Sequence, residues 1–281
     1  MTGRAQAVWL PDGQRLHLHH GPIDMIVGID GPGRRAAFER AVERFSTLLD
    51  ELVAELPRLR SAHGTPPRGE TAQLMHEAVR PFADRFVTPM AAVAGAGADT
   101  ILAATLGGAG IDKAYVNNGG DTAFCLRPGR SIEAAVATNP PARVRIAHHD
   151  PVRGIASSGW QGRSHSLGIA DNVTVLARTA AQADAAATLI ANAVDLPGHP
   201  AIIRTPATDS APDSDLGRRR VTTHVGPLSP AEISHALARG SAYAHHLVSL
   251  GLVSGAALML QGQCRLAGHL PLIHTKDTAN A

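Results

Sequence analysis

Cysteine is scarce in this chain of 281 residues, which contains only Cys125 and Cys264. Two thiols are too few for a disulfide framework or for a metal site built from thiolates. Their number fits a reducing compartment. Aromatic residues make up only 3% of the chain, so the stacking surfaces that single-strand nucleic-acid binders use are also scarce.

An excess of charge of one sign is missing as well. The chain has 26 lysines and arginines against 24 acidic residues, a formal net charge of +2. This balance lacks the basic footprint of nucleic-acid binders. No uninterrupted apolar run reaches about 18 residues, and the N-terminal residues show no signal-peptide pattern. We therefore expect a cytoplasmic protein that binds neither nucleic acid nor membranes.

Several common catalytic motifs are absent. The sequence has no Gly-x-Ser-x-Gly elbow, no Walker loop and no Gly-x-Gly-x-x-Gly, which argues against hydrolase, nucleotidase and Rossmann dehydrogenase functions. Histidine is abundant, with 15 residues, but several occur as adjacent pairs. Neighbouring residues of a strand point to opposite faces, so such pairs are poor metal chelates.

The patterns that are present predict helices and strands in a globular chain, since 44% of its residues are hydrophobic and 18% charged. Alternation from Arg15 to Ile29 predicts an N-terminal hairpin. Apolar residues at three- and four-residue steps from Arg35 to Arg60 predict an amphipathic helix that ends near Pro57. Thr88, followed by Pro89, predicts the start of an Ala- and Gly-rich helix that runs to Leu106.

The rest of the chain predicts an α+β fold of mostly antiparallel sheets flanked by helices. Residues 113–126, 131–137 and 142–148 are expected to be consecutive short strands of one antiparallel sheet. Further strands are predicted at 167–177, 221–226 and 256–266, and further helices at 179–194, capped by Thr179, and from Ser229 to about Leu250. We expect a single domain over residues 1–281, with flexible segments near 61–70 and 205–220.

Three local patterns predict a ligand site. Apolar residues lead into Asn117, Asn118, Gly119, Gly120 and Asp121, as where a buried strand ends and bare backbone meets a ligand. A second loop contains Ser157, Ser158, Gly159 and Trp160. Asp184 and Thr188 place two oxygen-bearing side chains one helical turn apart.

Simpler roles are open for the same residues. Asp121 could cap a turn, which Asp does well. Asp184 could be a carboxylate in the first turn of a helix, where the helix dipole favours it. Trp160 could be part of the core or cover it. The residues alone leave these alternatives open.

Taken in order, these motifs resemble the ApbE superfamily, whose founding activity is the transfer of FMN from FAD to a protein. The resemblance spans about Gly21 to Leu266 and is greatest to a branch of shorter ApbE-like proteins. It implies an ApbE-like fold with a ligand cleft between two halves. It also implies FAD or FMN as the ligand and a threonine or serine of an acceptor protein as the target.

The resemblance assigns roles to individual residues. Asp184 and Thr188 match the pair that holds Mg²⁺ beside the flavin pyrophosphate, together with a backbone carbonyl of the small-residue helix. Hard oxygen ligands at this spacing suit Mg²⁺, which keeps waters and uses phosphate oxygens. Asp121 matches a flavin-contacting carboxylate, and Ser158 and Gly159 match the second ligand loop.

The helix that closes over the flavin in this family is matched as well, with one departure. Gly95 and Asp99 lie at family positions in this helix. Ala94, directly before Gly95, stands where the transferases usually have lysine. A cation expected near the ligand is therefore missing.

A second departure also bears on transfer. A His-Ile-Ile-Asp-Pro segment of the family is replaced by Gly162–Gly168, in which Arg163 and His165 are candidate phosphate and base contacts. A lone histidine near a loop is more often an ordinary residue, so both roles of His165 stay open. The candidate catalytic residues are Asp121 and His165.

Three functions fit this pattern. The first is Mg²⁺-dependent binding of a flavin, with FMN transfer to a protein as an option. The second is a non-catalytic module that binds or delivers a flavin or pterin. The third is a different enzyme that acts on a small phosphorylated ligand. The alanine-rich helices also leave a homo-oligomer open.

Overall fold

The computed structural model describes residues 3–274 of the chain. Its strands are β1 (Gln6–Trp9), β2 (Arg15–His20), β3 (Ile23–Asp30), β4 (Lys113–Asn118), β5 (Asp121–Leu126), β6 (Ser131–Val136), β7 (Ala142–Ala147), β8 (Gly154–Ser158), β9 (Asn172–Ala177), β10 (Ile202–Pro206), β11 (Arg220–Val225), β12 (Gly255–Leu260), β13 (Gln263–Gly268) and β14 (Leu272–His274). Its α-helices are α1 (Arg34–Ala54), α2 (Leu56–Leu59), α3 (Glu70–Val79), α4 (Val93–Thr105), α5 (Ala180–Ala193), α6 (Ala207–Ser210) and α7 (Pro230–Ser249).

These elements confirm the α+β class. Every strand pair with a described register is antiparallel. The described residues divide into two compact units. The first contains residues up to Ile132, with Ala147–Ala156 and Arg178–Asp184. The second contains Glu133–Ile146, Ser157–Ala177 and the residues from Ala185 onward. The single domain expected from the sequence stays a prediction.

The first unit is a sheet with helices on one face. Its strands follow the order β1, β2, β3, β4, β5, β8. Alternation turns Leu18, Met25, Val27 and Val116 inward, and all four are fully buried. Helices α1 and α4 pack against each other and against this sheet. The C-terminal end of α4 is held by Arg40 of α1, which donates to the carbonyls of Ala104 and Thr105.

The second unit contains three smaller groups of strands. Strand β12 pairs with both β9 and β13, and α7 packs on β12 and β13. Strands β10 and β11 form a separate ribbon. Helix α7 begins with a capping box, in which Ser229 Oγ accepts from Glu232 N and the Glu232 carboxylate accepts from Ser229 N.

The structure corrects several expected strands. Residues 113–126 form a hairpin of two strands, because Gly119 and Gly120 turn the chain with φ values of 64° and 116°. Strands β6 and β7 share a sheet with β14, not with β4 and β5. Residues 256–266 also form a hairpin, since Gln261 and Gly262 both have positive φ. The strand expected over 167–177 begins only at Asn172.

The expected helices are present, with changes at their ends. Helix α1 ends at Ala54, and Pro57 lies in the short helix that follows. Thr88 is at an N-cap position but makes no side-chain cap hydrogen bond, and a 3₁₀ turn separates it from α4. Thr179 does cap α5, since its Oγ1 accepts from Gln182 N at 3.2 Å.

The two segments expected to be flexible differ in structure. Residues 61–69 contain no helix or strand. The carboxylate of Glu55 accepts hydrogen bonds from Arg68 N and Gly69 N. The segment 205–220 includes the end of β10, all of α6 and the start of β11. Flexibility of both segments stays a prediction.

Candidate functional site

The candidate site is built where α4 and the start of α5 meet in the first unit. Gly95 lies in the first turn of α4 and is buried. A Cβ atom at this position would overlap the carbonyl oxygen of Ala180. Only glycine therefore allows the two helix backbones to approach this closely.

Each of these helices caps the N-terminus of the other. The two carboxylate oxygens of Asp99, on α4, accept from Ala180 N at 3.1 Å and from Ala181 N at 2.9 Å. In return, Asp184 Oδ2 accepts from Gly95 N at 3.0 Å. The N–H of Ala94 also favours the charged form of Asp184. First-turn N–H groups have no partner within their own helix, so both carboxylates satisfy donors that would otherwise be unpaired.

This geometry excludes the simpler role considered for Asp184. It is the fifth residue of α5, and the first turn of that helix holds no acidic residue. Its carboxylate acts on the N-terminus of α4 instead. The favourable helix dipole is therefore that of the neighbouring helix.

The hairpin of β4 and β5 brings a second carboxylate to the same place. Asn118 and Asp121 are cross-strand partners and so lie on one face of the sheet. The Asn118 amide donates to Ala94 O at 2.9 Å, which ties the hairpin to α4. Asp121 is only 7% exposed, and its carboxyl group adjoins that of Asp184, whose pKa it raises.

The side chain of Asn117 lies on the other face of this sheet. Its Nδ2 donates to Thr122 Oγ1 at 2.7 Å, and its Oδ1 accepts from Gly120 N at 3.3 Å. Asn117 therefore holds the turn and is not grouped with the carboxylates. A Cβ atom added at Gly120 would face open space, with no other atom within 4 Å. The backbone of this turn is therefore accessible to a ligand.

The adjacent carboxyl groups of Asp121 and Asp184 determine which protons or cations this site can hold. Burial, followed by the negative charge of Asp121, raises the pKa of Asp184 well above its usual value. Asp184 nevertheless keeps some solvent exposure. Two carboxyls in contact are stable when they share a proton or when a cation neutralises them. The site can therefore hold either a proton or a positively charged group.

The donor set fits a hard divalent cation that brings further ligands with it. Asp121 and Asp184 supply carboxylate oxygens. Mg²⁺ is commonly bound by one or two carboxylates plus waters and phosphate oxygens. Within residues 3–274, no group of three His, Cys, Asp or Glu residues is arranged to hold a metal. A metal here would therefore need oxygen atoms from a ligand or from water.

The family model described as "AbpE bacteria" matches residues 7–266. The chain belongs to this family. The match confirms the resemblance to the ApbE superfamily that the motifs predicted. It covers both the carboxyl pair of the first unit and the loops of the second.

Two curated relatives of this AbpE family member are UPF0280 proteins. The UPF0280 protein MK0206 of Methanopyrus kandleri is 38% identical over 178 residues, which cover 60% of this chain and 69% of the relative. A UPF0280 protein of Methanothrix thermoacetophila is 42% identical over 112 residues, which cover 38% of this chain and 46% of that protein.

Two solved structures are similar at low sequence identity. The apo form of flavinyl transferase ApbE from Pseudomonas stutzeri is 12% identical, with a TM-score of 0.48, over 96% of this chain and 95% of that one. A mutant of flavin transferase ApbE from Vibrio cholerae is 13% identical, with a TM-score of 0.49, over 96% and 98% of the two chains.

The second unit of this AbpE family member contains the second predicted loop. Ser157 Oγ and Thr174 Oγ1 are 2.9 Å apart, and Ser158 is partly buried. Gly159 packs so closely on Asp171 that a Cβ atom would overlap the Asp171 carbonyl oxygen. Trp160 is partly exposed, and its Nε1 donates to Asp171 Oδ1 at 3.1 Å. Trp160 is thus held at the surface of its unit.

The last two predicted residues also belong to the second unit. Thr188 is on α5, four residues after Asp184, and is partly exposed. His165 Nε2 lies 3.3 Å from Ser210 Oγ in α6. The histidine therefore has a hydroxyl neighbour. Its catalytic role, like the ligand role of Thr188, is a proposal.

Sequence reasoning missed what Asp99 and Asp171 do. The resemblance places Asp99 at a family position, but its capping of α5 joins residues 81 and 82 positions apart. A carboxylate inside a helix of small residues was the available signal. For Asp171, the signal was an acidic residue directly before a strand and close to a tryptophan. Neither signal predicts which groups donate hydrogen bonds to these carboxylates.

Proposed function

We propose that the chain binds a flavin nucleotide, FAD or FMN, together with Mg²⁺ at the Asp121–Asp184 carboxyl pair. The observation that carries this proposal is the contact of two carboxyls at a glycine-mediated junction of helices, beside the open backbone of Gly120. A cation between the carboxyls would remove their repulsion and attract the ligand's phosphates. Membership of the AbpE family supports a ligand of the flavin type.

In this proposal, different residues of the chain would bind the metal and the flavin nucleotide. Asp121 and Asp184 would hold the metal, with Thr188 as a further oxygen donor. Gly119 and Gly120 would let the ligand approach the backbone. Bound Mg²⁺ would supply charge neutralisation at the pyrophosphate. Ser157, Ser158, Gly159 and Trp160 would contact the ligand through the second loop.

FMN transfer is the finer form of this proposal. The hydroxyl oxygen of an acceptor threonine or serine would bond to the phosphorus of the FMN half, while the pyrophosphate bond breaks and AMP leaves. Asp121 or His165 would accept the hydroxyl proton. Asp121 can accept this proton only while its carboxyl group is ionised, which a neutralising cation favours.

A binding or delivery module is the second candidate. Ala94 favours it, because its methyl group provides no cation where transferases usually have lysine. A module would bind FAD without consuming it. A third option, an enzyme for another phosphorylated ligand, would turn over without an acceptor protein.

The test is a titration with FAD, with and without Mg²⁺, followed by flavin fluorescence and AMP release. We expect Mg²⁺-dependent binding that Asp184→Asn weakens at least tenfold. Asparagine keeps one acceptor for the α4 N–H groups, so the variant should fold. Asp112→Asn is the matched control, since it removes a carboxylate of the same unit that pairs with Arg130 at 2.9 Å.

Each result has a definite meaning. Unchanged affinity in Asp184→Asn would remove Asp184 from the metal site. Failure of the unaltered protein to bind FAD in both conditions would overturn the flavin proposal. AMP release with labelling of an acceptor would establish transfer. Binding without AMP release would favour the module.

A further inference from the structure

Asp171 uses both of its carboxylate oxygens inside the second unit. Oδ1 accepts from Trp160 Nε1 at 3.1 Å, and Oδ2 accepts from Gln261 N at 2.5 Å. Its own N–H donates to Met259 O at 2.9 Å. Asp171 therefore links the loop of Trp160 to the turn between β12 and β13.

The backbone around Trp160 is held by the same segment. Trp160 N donates to Ala170 O at 3.0 Å, and Gly162 N donates to Gly159 O at 3.1 Å. Gly159 lies against the carbonyl of Asp171, where no side chain fits. The indole is thus anchored both through its backbone and through its ring nitrogen.

The other side of Asp171 is an unusually constrained turn. Gln261 is the one residue other than glycine with positive φ, at 42°, among those that the structure describes. Its Oε1 accepts from Leu228 N at 3.0 Å, and its Nε2 donates to Gly226 O at 2.8 Å. These bonds offset the cost of the left-handed conformation. The turn that donates to Asp171 Oδ2 is therefore itself fixed by hydrogen bonds.

We propose that Asp171 is a positioning residue that holds Trp160 as a stacking surface for the planar heteroaromatic ring of the ligand. This rests on the proposed function, in which Trp160 contacts the ligand. The indole N–H is satisfied by Asp171, so the partly exposed ring can offer an apolar face at no cost in unpaired polar groups. Holding the ring before binding reduces the entropy lost when a ligand stacks on it.

The test uses Trp9→Phe as the background, which leaves Trp160 as the only tryptophan. In this background, Asp171→Asn keeps an acceptor for one donor but presents an N–H to the other, so one of the two bonds is lost. We expect red-shifted emission from Trp160 and greater quenching by acrylamide. Asp213→Ala is the control, since Asp213 is exposed in the same unit.

Ligand affinity is measured with FMN and with riboflavin, which lacks phosphate, by anisotropy of flavin fluorescence. We expect Asp171→Asn to weaken both by about 2- to 10-fold, the range that aromatic stacking energies allow. Trp160→Ala should weaken them at least as much. Trp160→Phe should keep part of the affinity, because it retains a ring.

The outcomes separate this inference from the function it rests on. Asp171→Ala in the same background removes both acceptors, so it loses the bond to Trp160 whichever way an asparagine amide would turn. Unchanged emission and quenching in both Asp171→Asn and Asp171→Ala would overturn the positioning role, whatever binds. Equal flavin affinity in Trp160→Ala and the background would overturn the stacking role. If the background protein binds riboflavin through Trp160 but shows no Mg²⁺-dependent FAD binding, the metal-dependent function fails alone.

Discussion

Residue 95 has room for a hydrogen atom and nothing larger. In most helix interiors, alanine is more favourable than glycine by up to about 1 kcal/mol. At this position the preference should reverse, since the added methyl group would meet the backbone of Ala180 and Ala181. Backbone atoms cannot move aside as a flexible side chain can.

We expect Gly95→Ala to lower the free energy of unfolding by about 1–3 kcal/mol, the usual cost of overpacking. The measurement is urea unfolding followed by circular dichroism. Gly107→Ala is the control, since Gly107 has no positive φ and its nearest neighbouring atom lies at 3.4 Å. That variant should stay within about 0.5 kcal/mol of the parent. Equal stability of both variants would contradict the close helix contact.

Asn117 and Asn118 are adjacent in the sequence, but their side chains have different roles because they lie on opposite faces of the sheet. The sequence predicted that both would belong to the ligand loop, and the turn at Gly119 and Gly120 is where it was expected. Strand alternation, however, sends the two amide side chains to opposite faces. The alternation of side chains along a strand predicts that the two amides lie on opposite faces. It does not predict which face carries the candidate site, because that depends on which face α4 covers.

At the scale of elements, α4 and α5 are linked electrostatically, because a carboxylate of each helix caps the N-terminus of the other. Burial raises the pKa of Asp99 to about 6, even though two backbone N–H groups favour its charged form. The folded protein therefore binds this proton more tightly than the unfolded chain does. The resulting stability is complete below the unfolded pKa of 3.8 and is lost as the pH rises through about 6.

Asp99→Asn should reveal this dependence, because asparagine does not titrate and keeps one acceptor for α5. We expect the parent protein to lose stability relative to the variant as the pH is raised from about 4 to about 7. Thermal unfolding of both proteins across this range measures the difference. A constant difference would show that Asp99 titrates alike in the folded and unfolded states.

The capping residues also show the limits of reading one sequence. Thr179 was predicted as a cap because its partner, Gln182, is three residues away. Asp99 and Asp184 cap each other's helices across more than 80 positions. Patterns within a short stretch of sequence cannot predict pairs that are this far apart. The resemblance predicted Asp184 as a metal ligand, but it did not reveal that this carboxylate also caps α4.

At the scale of the whole molecule, binding and stability should be linked. Within residues 3–274 no helix is long and apolar enough to cross a membrane. Thermal unfolding measures the effect of a ligand on stability. A ligand that binds only the folded state at 100 times its Kd adds about 2.7 kcal/mol of stability.

We expect FAD with Mg²⁺ to raise the unfolding temperature, and Mg²⁺ or FAD alone to raise it less. Asp184→Asn should abolish the difference between the combined and separate additions, because in the proposed site the carboxyl pair couples metal binding to FAD binding. Differential scanning fluorimetry with a dye that does not overlap flavin emission measures these shifts. Strictly additive shifts in the parent protein would contradict a shared metal and phosphate site.

The exchange of caps between α4 and α5 has a consequence for the order of folding. Each helix contains all of its internal hydrogen bonds locally and can begin to form early. Neither can complete its first turn until a chain segment of more than 80 residues has closed and delivered the partner's carboxylate. We therefore expect the candidate site to be assembled late, since a chain that has not closed this loop has not brought Asp121 and Asp184 together.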